Sequence, residues 1–435
     1  MNTKTPLKRL ALVALAVLLA LSCVGCNNGS QNAQTTEAPE TEAPKSDYTG
    51  HFDPPTPSSS DLSAGDYLTV NSDLEFDDAY GKYVLKSDNF YTYIDCLAPF
   101  FDIGGIEHPD NNNGEYYRLD ASRKGDFPAD LADLAEHTSG ATIRFRTNAD
   151  TIKLTVNIRN AKPVVENWPH FSTMGAAGVT VYVGSGTDLT RVGYSTMCSD
   201  SKIAADIAFP EAGYKEVTVV LPIYAGVSRV FVGIPQGSAI ATPLARTYGD
   251  IVFYGSSITQ GAAVSHPGLS YSNVVCRMLN ADCRNLGFSG GCRGEQEMCD
   301  YIATLDMAAF VLDYDWNAAI ANDLKRTHYN VYKTVRDAHP DIPIIMMSRP
   351  IFTEEGNEDE KNRQAIVKAT YDQAIEDGDT NVYFINGDDF YQFEMPDLCA
   401  MDFIHPNDLG HYYMAVACYK VLKPALEAKY PDAKI

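Results

Sequence analysis

Positive charge is scarce in this chain. Lys and Arg number 34 against 57 Asp and Glu, which gives a formal net charge of −23 at pH 7. So acidic a chain has no field to hold a polyanion, which argues against nucleic acid or an anionic membrane face as a partner through bulk electrostatics. Long apolar runs are scarce too. The run at residues 10–21 has 12 residues, against the ~20 needed to cross a bilayer as a helix. Metal-ligand spacings are missing. The nine His form no H-E-x-x-H and no Cys/His zinc pattern. Asp313, Asp315 and Asn317 open like a calcium loop, but Ala318 and Leu324 stand where an EF-hand needs Gly and Glu. No metal site is expected.

What is present is enough for sizeable cores: 45% hydrophobic residues, with 18 Phe and 26 Tyr. At 435 residues the chain has room for two or three folded units. Its start reads as an address. Lys4, Lys8 and Arg9 precede the apolar run, and Cys23-Val24-Gly25-Cys26 follows it, then the polar Asn27-Asn28-Gly29-Ser30. This resembles a bacterial lipoprotein signal, with 1–25 as the signal peptide and Cys26 as the lipidated N-terminus; Cys23 takes the place where Leu is usual. A plain secretory signal is the alternative. Either way the mature protein is expected to be exported, and as a lipoprotein it would be held at the cell surface. Loss of the three cations makes the mature formal charge −23 − 3 = −26. Residues 26–60 are rich in Asn, Gln, Thr, Glu, Pro and Ser, and Thr36-Glu37-Ala38-Pro39 recurs as Thr41-Glu42-Ala43-Pro44. Such a segment has too little apolar surface to offset ordering entropy, so it is expected to be a disordered tether. Ten Cys are present. Export would permit disulfides, but sequence does not assign a pairing, and most of the Cys are expected to be small buried apolar residues.

From 61 to 245 the pattern has period two. Ile143 and Phe145 alternate with Arg144 and Arg146. Ile152, Leu154, Val156 and Ile158 alternate with Lys153, Thr155 and Asn157, and Val179, Val181, Val183 and Val217, Val219, Leu221 repeat the rhythm. Alternation sends successive side chains to opposite faces of a strand, so this unit is expected to be an antiparallel β-sandwich, jelly-roll-like in character. From 246 to 435 the rhythm changes. Short apolar runs at 251–254, 285–288, 310–313, 342–348 and 382–386 alternate with helical segments near 271–280, 295–303, 318–338, 357–376 and 409–428. That is the signature of an α/β unit with a parallel sheet covered on both faces. Ligands in such folds sit at the carboxyl ends of the strands.

Chemistry-bearing residues follow those strands. Gly255-Ser256-Ser257-Ile258 comes after the first, Gly287-Phe288-Ser289-Gly290-Gly291 at the second, and Asp313-Tyr314-Asp315-Trp316-Asn317 at the third. Asp402-Phe403-Ile404-His405-Pro406 lies near the end of the chain. A serine hydroxyl attacks well only when a base takes its proton. His405 is such a base near neutral pH, and Asp402, three residues earlier, can fix its tautomer. The N–H groups of Ser257 and Gly290 and the amide of Asn317 can supply an oxyanion hole. Asn317 can equally cap a helix starting near Ala318.

These four blocks in this order resemble the SGNH (GDSL-like) hydrolase superfamily over about residues 250–430. The resemblance implies a flavodoxin-like three-layer domain, Ser257, Asp402 and His405 as catalytic residues, an oxyanion hole of Ser257, Gly290 and Asn317, ester chemistry and no cofactor. The sequence departs from the usual pattern at Ser256, where Asp is common, at Ala318 after Asn317, and at Gly291. A β-sandwich ahead of such a domain on an exported lipoprotein resembles bacterial carbohydrate acetylesterases. The expected activity is therefore removal of O-acetyl groups from poly- or oligosaccharides. Gly287 to Gly291 also satisfies G-x-S-x-G, but an acid only three residues before the His speaks against Ser289 as nucleophile. His266 is expected to be a solvated loop residue. The aromatic stretch with Trp168 and His170 could face sugar or pack a core. Two alternatives stay open: a catalytically dead glycan-binding lipoprotein, and a lipid or short-chain acyl esterase.

Overall fold

The computed structural model describes residues 67–433 apart from 162–165, 169, 200, 354–356 and 394. The expected signal peptide, Cys26 and the tether lie outside the described residues. Among the described residues no helix is long and apolar enough to cross a membrane.

Twelve strands between Leu68 and Ala241 make one antiparallel sheet. The long strand Asp188–Ser199 pairs with Gly178–Ser185 along most of its length and with Lys202–Ala208 at its end. It carries hydrogen bonding from one half of the sheet to the other. The sheet is therefore continuous and curls on itself, where two separate sheets were expected. The period-two pattern explains why it curls. Ile143, Phe145, Val179, Val181, Val217 and Val219 from one half share a core with Ile94, Leu154, Val156, Val230 and Val232 from the other. Each such side chain stabilises the fold by about 1.5–3 kcal/mol when fully buried.

Strand Thr142–Thr147 departs from the simple alternation, because both of its faces are covered. Arg144 and Arg146, whose pattern reads as an outer face, are only 2% and 6% exposed. Arg144 pairs with Asp102 at 3.1 Å and lies 3.8 Å from Glu216, and Arg146 donates to the Thr242 carbonyl at 2.6 Å. The outer face of this half is where the second unit docks. Gly140, at φ +86°, marks the closeness: a Cβ there would lie 2.6 Å from the Cys283 carbonyl oxygen, so only Gly fits.

The second unit has five parallel strands in the spatial order Asp282–Gly287, Asp250–Gly255, Ala309–Asp313, Ile344–Met347, Val382–Ile385. Strand alternation assigns the two faces. Ile251, Phe253, Val311 and Ile345 pack with helices Tyr271–Leu279 and Asp408–Lys429. Val252, Tyr254, Phe310 and Leu312 pack with Gln296–Ile302, Ala321–Ala338 and Glu358–Glu376. The core on that second face also takes Tyr117, Leu119, Phe127, Leu131 and Ala135 from the first unit. These belong to an excursion between strands of the curled sheet that includes the short helix Ala129–Leu134. Packing thus crosses the boundary that the change of sequence rhythm marks near residue 245.

Candidate active site

Strand Asp250–Gly255 ends where a side chain would not fit: a Cβ on Gly255 would lie 1.9 Å from Thr259 Oγ1. The helix Ser257–Gln260 starts at once. Ser256 is its N-cap: its hydroxyl accepts from the Ile258 N–H at 3.2 Å, and Thr259 Oγ1 accepts from the Ser256 N–H at 3.1 Å. That reciprocal cap gives the atypical Ser256 a structural job and leaves Ser257 as the first residue of the helix. Gly261, at φ +107°, ends the helix after one turn.

Ser257 Oγ lies 2.9 Å from His405 Nε2, and His405 Nδ1 lies 2.9 Å from Asp402 Oδ2. The second carboxylate oxygen, Oδ1, accepts from the N–H groups of Ile404 and His405, both at 2.7 Å. This local turn explains why an acid three residues before a His can reach its ring. Asn407 then caps the terminal helix by accepting from Leu409 and Gly410, and it donates to the Leu398 and Ala400 carbonyls. Burial pulls His405 below the usual imidazole range, and the Asp402 carboxylate only partly offsets that pull. For Asp402, partial burial pushes upward, but the hydrogen bonds from the His405 ring and the two backbone N–H groups outweigh it. The carboxyl titrates below its usual range. The pair is thus set as a neutral imidazole beside an ionised carboxylate, the state a general base needs.

Gly290 follows the neighbouring strand and takes φ +73°, a left-handed conformation that suits Gly. Among the described residues, neither the Ser257 N–H nor the Gly290 N–H donates to another group of the chain. Asn317 donates through Nδ2 to the Phe288 carbonyl at 2.9 Å and to the Gly291 carbonyl. It fastens the Gly290 loop and caps no helix, since the next one, Ala321–Ala338, has Ile320 at its N-cap position. Ser289 stands apart from the His. Its N–H donates to Gln260 Oε1 at 2.9 Å and its hydroxyl bonds Tyr224.

The first unit braces this loop from behind. Arg118, fully buried, donates to the carbonyls of Asn285, Gly287 and Leu134 and lies over the Phe288 ring at 4.2 Å. Ser139 Oγ donates to the Gln260 carbonyl at 2.6 Å, and Gln260 Nε2 bonds His137 Nδ1 at 3.2 Å. His266 is not solvated as expected. It is 3% exposed, held by Thr180 and Arg191 of the curled sheet, and driven down to about 4 by burial and by the Arg191 charge.

His170 also reaches the site, with Nε2 3.2 Å from Asp402 Oδ2. Phe171 meets the His405 ring edge-on at 5.4 Å, and Trp168 stacks on Phe171 at 5.7 Å. His170, Asp402 and His405 form the one His/Cys/Asp/Glu cluster among the described residues whose donor atoms all lie close, within 4.8 Å. The direct contacts of Asp402 with the two rings account for that spacing. Sequence offered no signal for Arg118 or His137. His170 carried only a weak one, in its aromatic neighbours.

Residues 249–423 match the model of the GDSL-like Lipase/Acylhydrolase family, and residues 91–240 match that of the N-terminus of SGNH-hydrolase-type esterases. No curated protein matches the chain by sequence. Among solved structures, a GDSL-like lipase from Bacteroides ovatus is 25% identical, with a TM-score of 0.66 over 79% of this chain and 99% of that one. The salicylyl-acyltransferase SsfX3 of a tetracycline biosynthetic pathway is 18% identical, with a TM-score of 0.61 over 77% and 97%. A family two carbohydrate esterase from Cellvibrio japonicus shares the fold at 13% identity, with a TM-score of 0.50 over 78% and 98%. Through the matched residues the α/β unit is similar to GDSL-like lipases/acylhydrolases and the curled sheet ahead of it to the N-terminus of SGNH-hydrolase-type esterases, which supports an esterase or acylhydrolase of the SGNH type.

Proposed function

We propose that this esterase is a serine hydrolase that removes small acyl groups, acetyl above all, from carbohydrate hydroxyls. The observation that carries the reading is the unbroken relay from Ser257 Oγ through the His405 ring to Asp402. Ser257 Oγ attacks the ester carbonyl while His405 Nε2 takes its proton. Asp402 holds the Nδ1–H and stabilises the imidazolium that forms. The N–H groups of Ser257 and Gly290 receive the oxyanion. Asn317 holds the Gly290 loop in place, and acts as a third donor by exchanging one of its loop carbonyls for the oxyanion. His405 passes the proton to the leaving sugar oxygen. It then takes a proton from water, whose attack on the acyl-serine releases acetate and restores Ser257.

The burial of Ser257 beside exposed aromatic rings supports a small acyl group on a large alcohol. Ser257 is 5% exposed, whereas Phe403 is 93% and Trp168 47% exposed. A short acyl group would enter, and the rest of the substrate would lie against the aromatic rim, where ring faces suit a sugar. The fold shared with a family two carbohydrate esterase supports the same class. Export and anchoring through Cys26 complete the proposal and place the substrate outside the cell. Metabolic labelling with radioactive palmitate should mark the wild type and not Cys26→Ala. Acetate release from a panel of acetylated polysaccharides, with Ser257→Ala as control, tests the activity. Turnover in Ser257→Ala equal to wild type would overturn the reading. A preference for octanoyl over acetyl esters would replace the sugar substrate with a lipid.

A further inference from the structure

The Ser-His-Asp relay requires one imidazole, yet two converge on Asp402. His170 belongs to the first unit, in the stretch before helix Thr173–Ala177. Its Nε2 approaches Asp402 Oδ2 to 3.2 Å, and that same oxygen is 2.9 Å from His405 Nδ1. The two rings therefore share one carboxylate oxygen, while the other oxygen is taken by backbone N–H groups. The His170 side chain is 35% exposed and that of His405 is 9% exposed, so His170 stands on the solvent side. Its ring is placed by Trp168 at 5.8 Å and Phe171 at 4.8 Å, both uncharged, and Phe171 in turn packs on His405. Asp402 and His405 are titratable groups that face His170.

We propose that His170 is a positioning residue of the esterase centre: from the first unit it fixes the Asp402 carboxylate and sets how strongly that carboxylate acts on His405. The proposal rests on the reading of Ser257, His405 and Asp402 given above. Two effects follow from the contact. The His170 ring edge, 3.2 Å from Oδ2, confines the carboxylate to the orientation in which it also reaches Nδ1. It also draws on the charge of Asp402, so less of that charge stabilises the His405 imidazolium. The direction agrees with the lowering of His405 that His170 contributes. Removing His170 leaves Asp402 looser but more fully negative toward His405. The rate then falls, and His405 becomes harder to deprotonate.

The test uses the full chain, with wild type, His170→Ala, His170→Gln and Ser257→Ala compared on p-nitrophenyl acetate from about pH 5 to about pH 9. His170→Ala should lower kcat about tenfold, through the looser carboxylate. KM should change by less than about twofold. The acid limb of kcat/KM should move to higher pH by about half a unit. His170→Gln, which keeps an N–H donor, should recover most of kcat. Thermal melting checks folding, which a partly exposed side chain should disturb little. If Ser257→Ala is inactive while His170→Ala keeps the wild-type rate and acid limb, the inference fails and the triad reading stands. A lower kcat with an unmoved acid limb and no recovery in Gln marks a structural role only, and also overturns it. A change confined to KM assigns His170 to substrate contact, with the same consequence. Activity in Ser257→Ala fails the triad reading itself.

Discussion

The two units serve one site in different ways. The α/β unit supplies Ser257, Gly290, Asp402 and His405, set by local backbone rules at strand and helix ends, and Asn317, held by the carbonyls of Phe288 and Gly291. The curled sheet supplies Arg118, Ser139, His137, Tyr224 and His170, none of which stands in a recognisable motif, and each meets the site only because the units dock. Reacting groups are thus encoded locally, while the groups that hold them still come from far along the chain. The lesson is one of entropy. A residue next to a tight turn is positioned by a few dihedral angles, whereas a brace from another unit is positioned by a whole packed interface.

That contrast is sharpest where the largest effect is expected. Ser257→Ala and His405→Ala should each reduce kcat/KM on a chromogenic acetyl ester by about 10³-fold or more. Ser289→Ala should stay within about threefold, because its hydroxyl faces Tyr224 and its role is packing. Equal losses at Ser257 and Ser289 would erase the distinction between reacting and bracing residues.

The brace with most at stake is Arg118. Arg118→Met keeps an apolar stem but strips donors from three buried carbonyls. It should cost about 3 kcal/mol of stability in denaturant melts, with kcat falling further than KM rises. Arg118→Lys should restore little, since one ammonium does not match a planar fork spread over three acceptors. Unchanged kinetics in a folded Arg118→Met protein would mean that the loop holds itself.

The pH profile separates the units in a second way. His405 must be neutral to act as a base, and burial sets it below the ordinary imidazole value. The acid limb of kcat/KM should therefore have its midpoint below about pH 6.5, with activity rising as pH increases through it. A midpoint above that value would show that Asp402 dominates burial.

The smallest effect concerns Asp313, under the nucleophile helix. It accepts from Thr259 and Tyr271, and it is pushed up to about 8 by burial first and by Asp315 second. A carboxyl raised in the fold binds its proton more tightly when folded than when unfolded. Stability is then lost as pH rises from the unfolded value of 3.8 toward about 8. Asp313→Asn keeps an acceptor and removes the charge. Its melting temperature should exceed that of the wild type by a few degrees near pH 8, and by less near pH 5.

Strand and helix rhythm was legible wherever one face meets a core. The expected helix at 357–376 is Glu358–Glu376, with Asn357 and Glu360 making its capping box. The expected strand at 251–254 is Asp250–Gly255. Strand Thr142–Thr147 resisted the same logic, because alternation identifies two faces but not what covers the second. There it is another unit and the 3.1 Å pair with Asp102. His266 was misread for a related reason: a loop His looks solvated until Thr180 and Arg191 arrive from elsewhere in the chain.

By itself the sequence carried the change from strand-only to strand-helix rhythm and the four blocks with a serine, two loop residues and an Asp-His pair at strand and helix ends. Those features depend on side-chain periodicity and on turns a few residues long. The tertiary structure alone decided that the sheet is one curled surface, that Asn317 fastens a loop and caps nothing, and that Arg118 and His170 belong to the centre. The physical reason is that such contacts join residues far apart in the chain, and their partners are chosen by the docking of two surfaces, which no local spacing records.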